Sequence, residues 1–365
     1  MDPRSARAEA AFLAAIAADP SLLATPHTAQ PVLVTLANVT PTKVEWLWWP
    51  YIASGTVSLL DGDPGVGKSL LTLQLATSIS RGWPLPDQYG KLTELLPGPQ
   101  NVLILSTEDS LAHTVVPRLL AINADCARVT VLTGQRIDEQ EETAFTLQDL
   151  PVLQQAIDTL TPTLVILDPI QAYLGKIDMH RSNETRPLLA ALASIAEHAR
   201  CSILCVRHPS KSQNGGAKAM MRGLGSVDFV GAARTALFVE DHPTKRTCAF
   251  LCETKNNLGP HGRTQIFSRE KGQFAWAGVT RLTADHIAGG ERGPDPHEFI
   301  RAMCWLEEQL EGGIPQPSKD LFFQAEELGM SKRSLGRAKL ALGVRHKKSD
   351  EGYMWSLQTV DIIQR

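Results

Sequence analysis

Apolar residues along this chain gather in short, nearly unbroken runs rather than in strict alternation. Thr56 to Leu60, Asn101 to Thr107, Leu164 to Asp168 and Ser202 to Val206 are the clearest, and each stops at a polar or charged residue. Such runs mark strands buried on both faces, as in a parallel sheet covered by helices above and below. The segments between them repeat their apolar residues at helical spacing: Leu70–Ala76, Ala112–Ala121, Leu150–Leu160 and Leu188–Ala199. Strand, helix, strand, helix in that order predicts an α/β fold with a mainly parallel central sheet. Arg128–Leu132, Arg234–Glu240 and Thr247–Glu253 read as further strands, and Thr254–Pro260 after the last of them as a polar turn carrying a single lysine.

The ends of the chain have a different texture. Residues 1–44 read as an arm: a helix over Ser5–Ala18 with Phe12, Leu13 and Ile16 on one face, then a connection broken by Pro20, Pro26, Pro31 and Pro41. Residues 45–285 form the α/β domain. It opens on Glu45-Trp46-Leu47-Trp48-Trp49-Pro50-Tyr51-Ile52, an aromatic cluster that suits core packing, with adenine stacking as the alternative. Arg81–Gln100 is rich in Pro and Gly and reads as a surface loop, and Tyr173–Arg186 as a second, basic one. Residues 286–296 are a linker by composition, and residues 297–365 form a small domain. Helices over Phe299–Leu310, Ser318–Leu328 and Lys332–Leu342, with strands over Val344–Lys348 and Tyr353–Leu357, give a helix-turn-helix with a two-stranded wing.

Composition narrows the partners. The chain has 365 residues, 43% hydrophobic and 21% charged, and a formal net charge of −3. That charge excludes a generally basic nucleic-acid binder, so any such contact must come from local patches. Two patches qualify. Pro209–Ser226 carries Lys211, Lys218 and Arg222 among glycines, without an acid, the composition of a mobile loop that grips a phosphate backbone. Lys332, Arg333, Arg337, Lys339, Arg345, Lys347 and Lys348 form the other, on the C-terminal domain, where DNA binding competes with a protein-docking role. The six cysteines include two C-x-x-x-C pairs, but these lie in apolar strand-like runs without histidine or acidic partners, so they read as reduced, buried thiols rather than a metal site. No apolar run reaches the ~18 residues of a membrane span, and the expectation is a cytoplasmic protein with no membrane partner.

The chemistry starts at Gly62-Asp63-Pro64-Gly65-Val66-Gly67-Lys68-Ser69, which fits G-x-x-x-x-G-K-[ST] between a strand and a helix that begins near Leu70. Glycines allow successive backbone N–H groups to converge on phosphate oxygens, and the helix N-terminus adds its positive end. Lys68 is then expected to reach the β- and γ-phosphates of ATP, and Ser69 to help hold Mg²⁺. Asp168, ending an apolar run, is expected as the second metal-associated group. Glu108 ends another run and is the candidate general base, with Asp109 as a helix cap. His208 follows a third, either as a sensor of the γ-phosphate or as a satisfied strand-end histidine.

Taken together GDPGVGKS, STED, LVILD, VRHPSK, the RGLGS-to-GAARTALFV stretch and ETKNNLGP resemble, in order and spacing, the RecA-like hexameric ATPases over about residues 45–280, most closely the plasmid and phage RepA-like replicative helicases. The tail resembles winged-helix modules appended to some of them. The resemblance implies Glu108 as catalytic carboxylate, Asp168 as the Mg²⁺-associated acid and His208 as γ-phosphate sensor. It further implies Arg234 as an arginine finger given to the neighbouring subunit. Relatives of the DnaB type carry a basic finger two residues after the lysine of a K-x-R turn; here that position is Asn257. The finger role therefore falls to Arg234, with Lys255 as a helper in trans and Arg222 better suited to the nucleic-acid loop. The implied protein is a homo-oligomeric, hexameric motor. Single-stranded DNA would run in its channel past the 209–226 and 173–187 loops, with duplex DNA at the C-terminal domain. A RecA/RadA-like recombination ATPase and an ATP-switched DNA-binding regulator are the alternatives.

Overall fold

The computed structural model describes residues 33–94, 97–138, 141–179, 181–208, 227–287, 296–350 and 352–357. The chain divides into two units, Met1–Lys43 and Val44–Arg365. Among the described residues of the first, a 3₁₀ turn spans Leu36–Asn38. The expected helix over residues 5–18 and the loop over 209–226 lie outside the described residues.

The second unit is built on a nine-stranded sheet. Its strands are β1 (Val57–Gly62), β2 (Val102–Ser106), β3 (Val129–Val131), β4 (Leu164–Asp168), β5 (Ser202–Val206), β6 (Thr235–Asp241), β7 (Cys248–Asn256), β8 (Thr264–Ser268) and β9 (Ala275–Thr280). They lie in the order β9-β8-β7-β6-β1-β5-β4-β2-β3. The six strands from β6 to β3 in that order are parallel, and β7, β8 and β9 add an antiparallel flank. The observed sheet is mostly parallel with helices on both sides, the α/β architecture that the apolar runs predict.

Successive side chains of a strand point to opposite faces, so an unbroken apolar run needs two cores. Both exist. Leu60, Ile104, Ile166 and Leu204 pack with Leu71, Leu75 and Ile79 of α1 (Lys68–Arg81) on one face. Leu59, Leu103, Val165 and Ile203 pack on the other, with Leu153 and Ile157 of α3 (Leu150–Leu160) and Leu189 and Leu192 of α4 (Ser182–Ala199). The short α2 (Val116–Ala121) joins the first layer through Leu119, and α5 (Val227–Ala232) joins the second through Phe229.

Three expectations need correction. The polar stretch Thr254–Asn256 is not a turn but the end of β7, held opposite β6 past a bulge at Ala236/Leu237. Its polar side chains find tertiary partners: Asn256 donates to Pro50 O and Pro260 O, each at 3.1 Å. The basic loop before α4 ends sooner than expected, because the helix starts at Ser182 and carries Pro187 inside it. Pro187 is sixth in the helix and withdraws one ladder donor, and the helical apolar repeat begins only after it. Finally β8 and β9 extend the sheet beyond the strands that the apolar pattern indicates.

Beyond residue 295 come α6 (Pro296–Gln309), α7 (Ser318–Glu327) and α8 (Lys332–Ala341), then a sheet of β10 (Gln316–Pro317), β12 (Gly352–Ser356) and β11 (Arg345–Ser349). Ser331 caps α8 by accepting from Ser334 N at 3.1 Å. Phe299, Met303 and Leu306 of α6 share a buried cluster with Phe250 and Cys252 of β7. Lys245 Nζ reaches Glu308 Oε1 at 2.6 Å, and Thr280 Oγ1 donates to Glu307. Cys201, Cys205, Cys248, Cys252 and Cys304 are buried free thiols and Cys126 is exposed.

Candidate nucleotide site

The strand order decides which residues meet. β1, β5, β4 and β2 are parallel neighbours, so the residues following each sit side by side along the carboxyl edge of the sheet, where open α/β sheets bind ligands. Those followers are the Gly62–Ser69 loop, His208, Asp168 and Glu108. Gly62 closes against β6, since a Cβ there would stand 2.5 Å from Val239 O. Gly67 caps α1 at φ +102°, a conformation open to glycine at little cost. Lys68 opens the helix, and Asp63, Pro64 and Gly65 are exposed at the loop tip while Val66 is buried beneath it. Leu70 lies in the first turn of α1, half-buried.

Lys68 Nζ donates to Gly62 O at 2.6 Å and Asp63 O at 2.8 Å, and lies 3.4 Å from His208 Nδ1. Burial pushes its pKa down, against the pull of Asp168, Asp63, Asp61 and Glu108. Asp168 is pushed up by burial, opposed first by a hydrogen bond from Ser69. The Ser69 hydroxyl and the Asp168 carboxylate are thus paired hard oxygen donors at a helix N-terminus. That donor set fits Mg²⁺, which takes few protein ligands and completes its shell with phosphate and water. His208 Nε2 is 3.7 Å from Glu108 Oε1, and the Glu108 side chain is 60% exposed, free to face an incoming water. Asp109 is not the helix cap: Ser110 accepts from His113 N, and Asp109 pairs with Arg118 at 3.1 Å.

Two features escape a reading of the sequence. Arg207, 1% exposed, donates Nε and Nη2 to the Asp61 carboxylate at 2.7 and 2.6 Å, and its guanidinium lies over the Phe229 ring at 5.3 Å. This buried bidentate pair ties the strand before the phosphate loop to the strand before His208. Arg269 reaches the loop from β8, donating Nη1 to Gly65 O at 2.8 Å. Arg269 lies in no motif, and Arg207 stands within VRHPSK without a role assigned to it; an arginine after an apolar strand run, with an aspartate ending a neighbouring run, is the available signal for it.

The remaining candidates lie elsewhere. Arg234 is exposed at the opposite edge of the sheet, its N–H donating to Val57 O at 3.0 Å. From Val57 to Gly62 is about 17 Å at roughly 3.4 Å per residue, so Arg234 stands far from its own phosphate loop. Lys255 is beside it and donates to Val230 O, Gly231 O and Ala233 O at 2.6, 3.1 and 2.7 Å, closing the end of α5. Lys211, Lys218 and Arg222 lie outside the described residues. Lys332, Arg333, Arg345 and Lys347 are exposed on the C-terminal module, whereas Arg337 lies over the Phe299 ring at 4.4 Å. Trp48, fully buried, donates Nε1 to Pro86 O at 2.7 Å, so the aromatic cluster serves the core there.

The family described as AAA domain matches residues 23–214. DNA repair protein RadA of Halalkalibacterium halodurans is 29% identical over 247 residues, covering 66% of this chain and 45% of the relative. DNA repair protein RadA of Bacillus subtilis is 25% identical over 248 residues, with the same coverage of each chain. The chain therefore spans less than half the length of these curated relatives. Among solved structures, the KaiC-like protein PH0186 from Pyrococcus horikoshii OT3 is similar at 13% identity and TM-score 0.44, over 66% of this chain and 99% of that one.

Proposed function

The chain belongs to the AAA domain family, and from that premise we propose that it is an Mg-ATP-hydrolysing ring motor, a hexamer acting on single-stranded DNA as a RepA-like replicative helicase. The observation that carries this reading is the division of its charged groups between two edges of one sheet. Lys68, Ser69, Glu108, Asp168 and His208 gather at one edge, and Arg234 stands exposed at the other. A site whose cation lies about 17 Å away along the strands (at roughly 3.4 Å per residue) is completed by a second copy.

Mg²⁺, when bound with the nucleotide, would neutralise charge building on the phosphate oxygens. Glu108 orients the attacking water and accepts its proton. Lys68 leaves its loop carbonyls for the β- and γ-phosphates, and Arg234 of the neighbouring copy faces the transferring group. His208, between Lys68 and Glu108, senses the γ-phosphate and passes its loss to the 209–226 loop that follows it. That loop, through Lys211, Lys218 and Arg222, grips the strand, while the exposed Lys332, Arg333, Arg345 and Lys347 of a winged-helix module hold duplex DNA.

A second reading, a DNA repair ATPase without unwinding activity, is favoured by the names of the relatives at 29% and 25% identity. Forked-duplex unwinding with the wild type and Lys68→Ala in parallel separates the two. Unwinding and ATPase stimulated by single-stranded DNA, both lost in Lys68→Ala, are expected. Stimulated ATPase without unwinding favours repair, and hydrolysis indifferent to DNA with no assembly removes the motor.

A further inference from the structure

Arg269 follows β8 in a mixed-charge turn, Ser268-Arg269-Glu270-Lys271, that carries no motif. Its side chain nevertheless crosses onto the phosphate loop. Nη1 donates to Gly65 O at 2.8 Å, and Nη2 donates to Asp241 Oδ1 at 2.7 Å and Cys248 O at 3.4 Å. The aliphatic stem lies flat against Gly67: a Cβ there would stand 2.5 Å from Arg269 Cδ and 3.3 Å from Phe267 Cε2. Nε is buried among these groups with no partner of its own. The backbone behind it is fixed as well, since Arg269 N donates to Thr247 O at 2.7 Å.

We propose that Arg269 is a positioning residue of the nucleotide site, acting through the Gly65–Val66 peptide. A peptide unit is planar and trans, so the carbonyl of Gly65 and the N–H of Val66 point in opposite directions. Holding Gly65 O on the outer side of the loop turns the Val66 N–H inward, toward where phosphate oxygens must sit. Without that hold, a glycine-rich loop samples many orientations, and an incoming anion would have to order them. The guanidinium also leaves one positive charge behind the loop. Asp241 is 61% exposed, so the ion pair itself contributes little, and the hydrogen bond to Gly65 is the one that matters. The proposal deepens the nucleotide-hydrolysing reading and rests on it.

The test is binding of a fluorescent ADP analogue to the full-length protein with Mg²⁺, with the melting temperature of the nucleotide-free protein recorded for each variant. Arg269→Ala is expected to raise Kd about tenfold, a change of about 1.4 kcal/mol. KM for ATP should rise with it while kcat changes by less than about twofold, since the orientation serves ground state and transition state alike. Arg269→Met keeps the stem on Gly67 and removes every donor; it should match Arg269→Ala in Kd at an unchanged melting temperature. Arg269→Lys should recover part of the affinity, and Asp241→Asn should leave it within about twofold. ADP binding by Arg269→Met equal to wild type overturns the proposal. So does weakened binding that merely follows a fall in melting temperature. If Arg269→Ala does not fold, Arg269→Met alone decides. Wild-type protein that binds no ADP would instead remove the underlying nucleotide reading, and loss of unwinding with ADP binding intact would remove only the motor.

Discussion

Asp61 and Arg207 are buried at 3% and 1% exposure and bonded twice to one another. Removing either partner strands a charge away from water, which costs about 3–5 kcal/mol. Asp61→Ala should therefore lower the unfolding free energy by an amount of that size, read by urea unfolding, and loosen His208, which follows Arg207 directly. Glu253 presents the opposite case, a buried carboxyl short of partners. Its Oε2 accepts from Gly262 N at 2.5 Å and lies 3.5 Å from His261 Nδ1, while its Oε1 has no partner. Burial pushes its pKa from the ordinary 4.5 up to about 8. Between those values the folded protein keeps a proton that the unfolded chain has released, so stability falls as pH rises through the window and is level on either side. Glu253→Gln should melt higher than wild type by about 3 °C or more above pH ~8, with the difference gone near pH ~4.5. Thermal melts across that range measure it.

The proposed ring motor requires a second copy, and the arrangement of the elements is the reason. β6 runs parallel to β1 in the register Thr235 to Ser58, which fixes Arg234 at the end of the sheet remote from Gly62. β7 returns antiparallel and brings Lys255 to the same end. Burial, and after it the nearby charge of Arg234, lowers the pKa of Lys255, and Lys255 is spent on the carbonyls that end α5. Arg234 is left exposed, and on that proposal it serves a neighbour. Arg234→Ala should keep ADP affinity and melting temperature while cutting kcat about 10³-fold. Mixed with Lys68→Ala, itself reduced about 10²-fold or more, it should regain activity. A mixed assembly contains interfaces with an intact phosphate loop on one side and an intact Arg234 on the other. Two inactive proteins that stay inactive when mixed would return the cation to a site within one chain.

In the whole molecule the nine-stranded sheet and the C-terminal module belong to one unit, joined through Phe250, Cys252, Phe299 and Met303. The module's cations divide accordingly. Arg337 and Lys339 lie over the rings of Phe299 and Trp355, at 4.4 and 4.6 Å, and serve its interior. Lys332, Arg333, Arg345 and Lys347 face solvent. Replacing those four by glutamine should weaken duplex binding uniformly across sequences and reduce the salt slope by about 1 for each phosphate that is no longer neutralised. A titration at several salt concentrations measures it, and an unchanged slope would assign the module to protein docking. No described helix is long and apolar enough to cross a membrane.

Local chemistry made much of this protein legible in the order of its residues. The unbroken runs ending at Leu60, Thr107, Asp168 and Val206 reveal strands with two buried faces, because only side chains buried on both faces are apolar at consecutive positions. The phosphate loop is legible because Gly65 and Gly67 answer a local backbone requirement, φ of +84° and +102°, even though Gly62 and Gly67 also meet Val239 and Arg269 from distant parts of the chain. Strand order is not local. That β5 inserts between β1 and β4, bringing His208 against Lys68, and that Arg207 finds Asp61 across 146 positions, is settled by packing. The same holds for Arg269, which reaches Gly65 across 204 positions from an unremarkable turn. The end of β7 looks like a turn because polar side chains signal exposure until a partner is known, and Pro50, Pro260 and α5 supply those partners only in the folded chain. The sequence by itself determined the elements and the loop that meets phosphate. Tertiary structure decided which charges share an edge and which lie beyond their own site's reach, because adjacency in a sheet follows from packing and not from spacing along the chain.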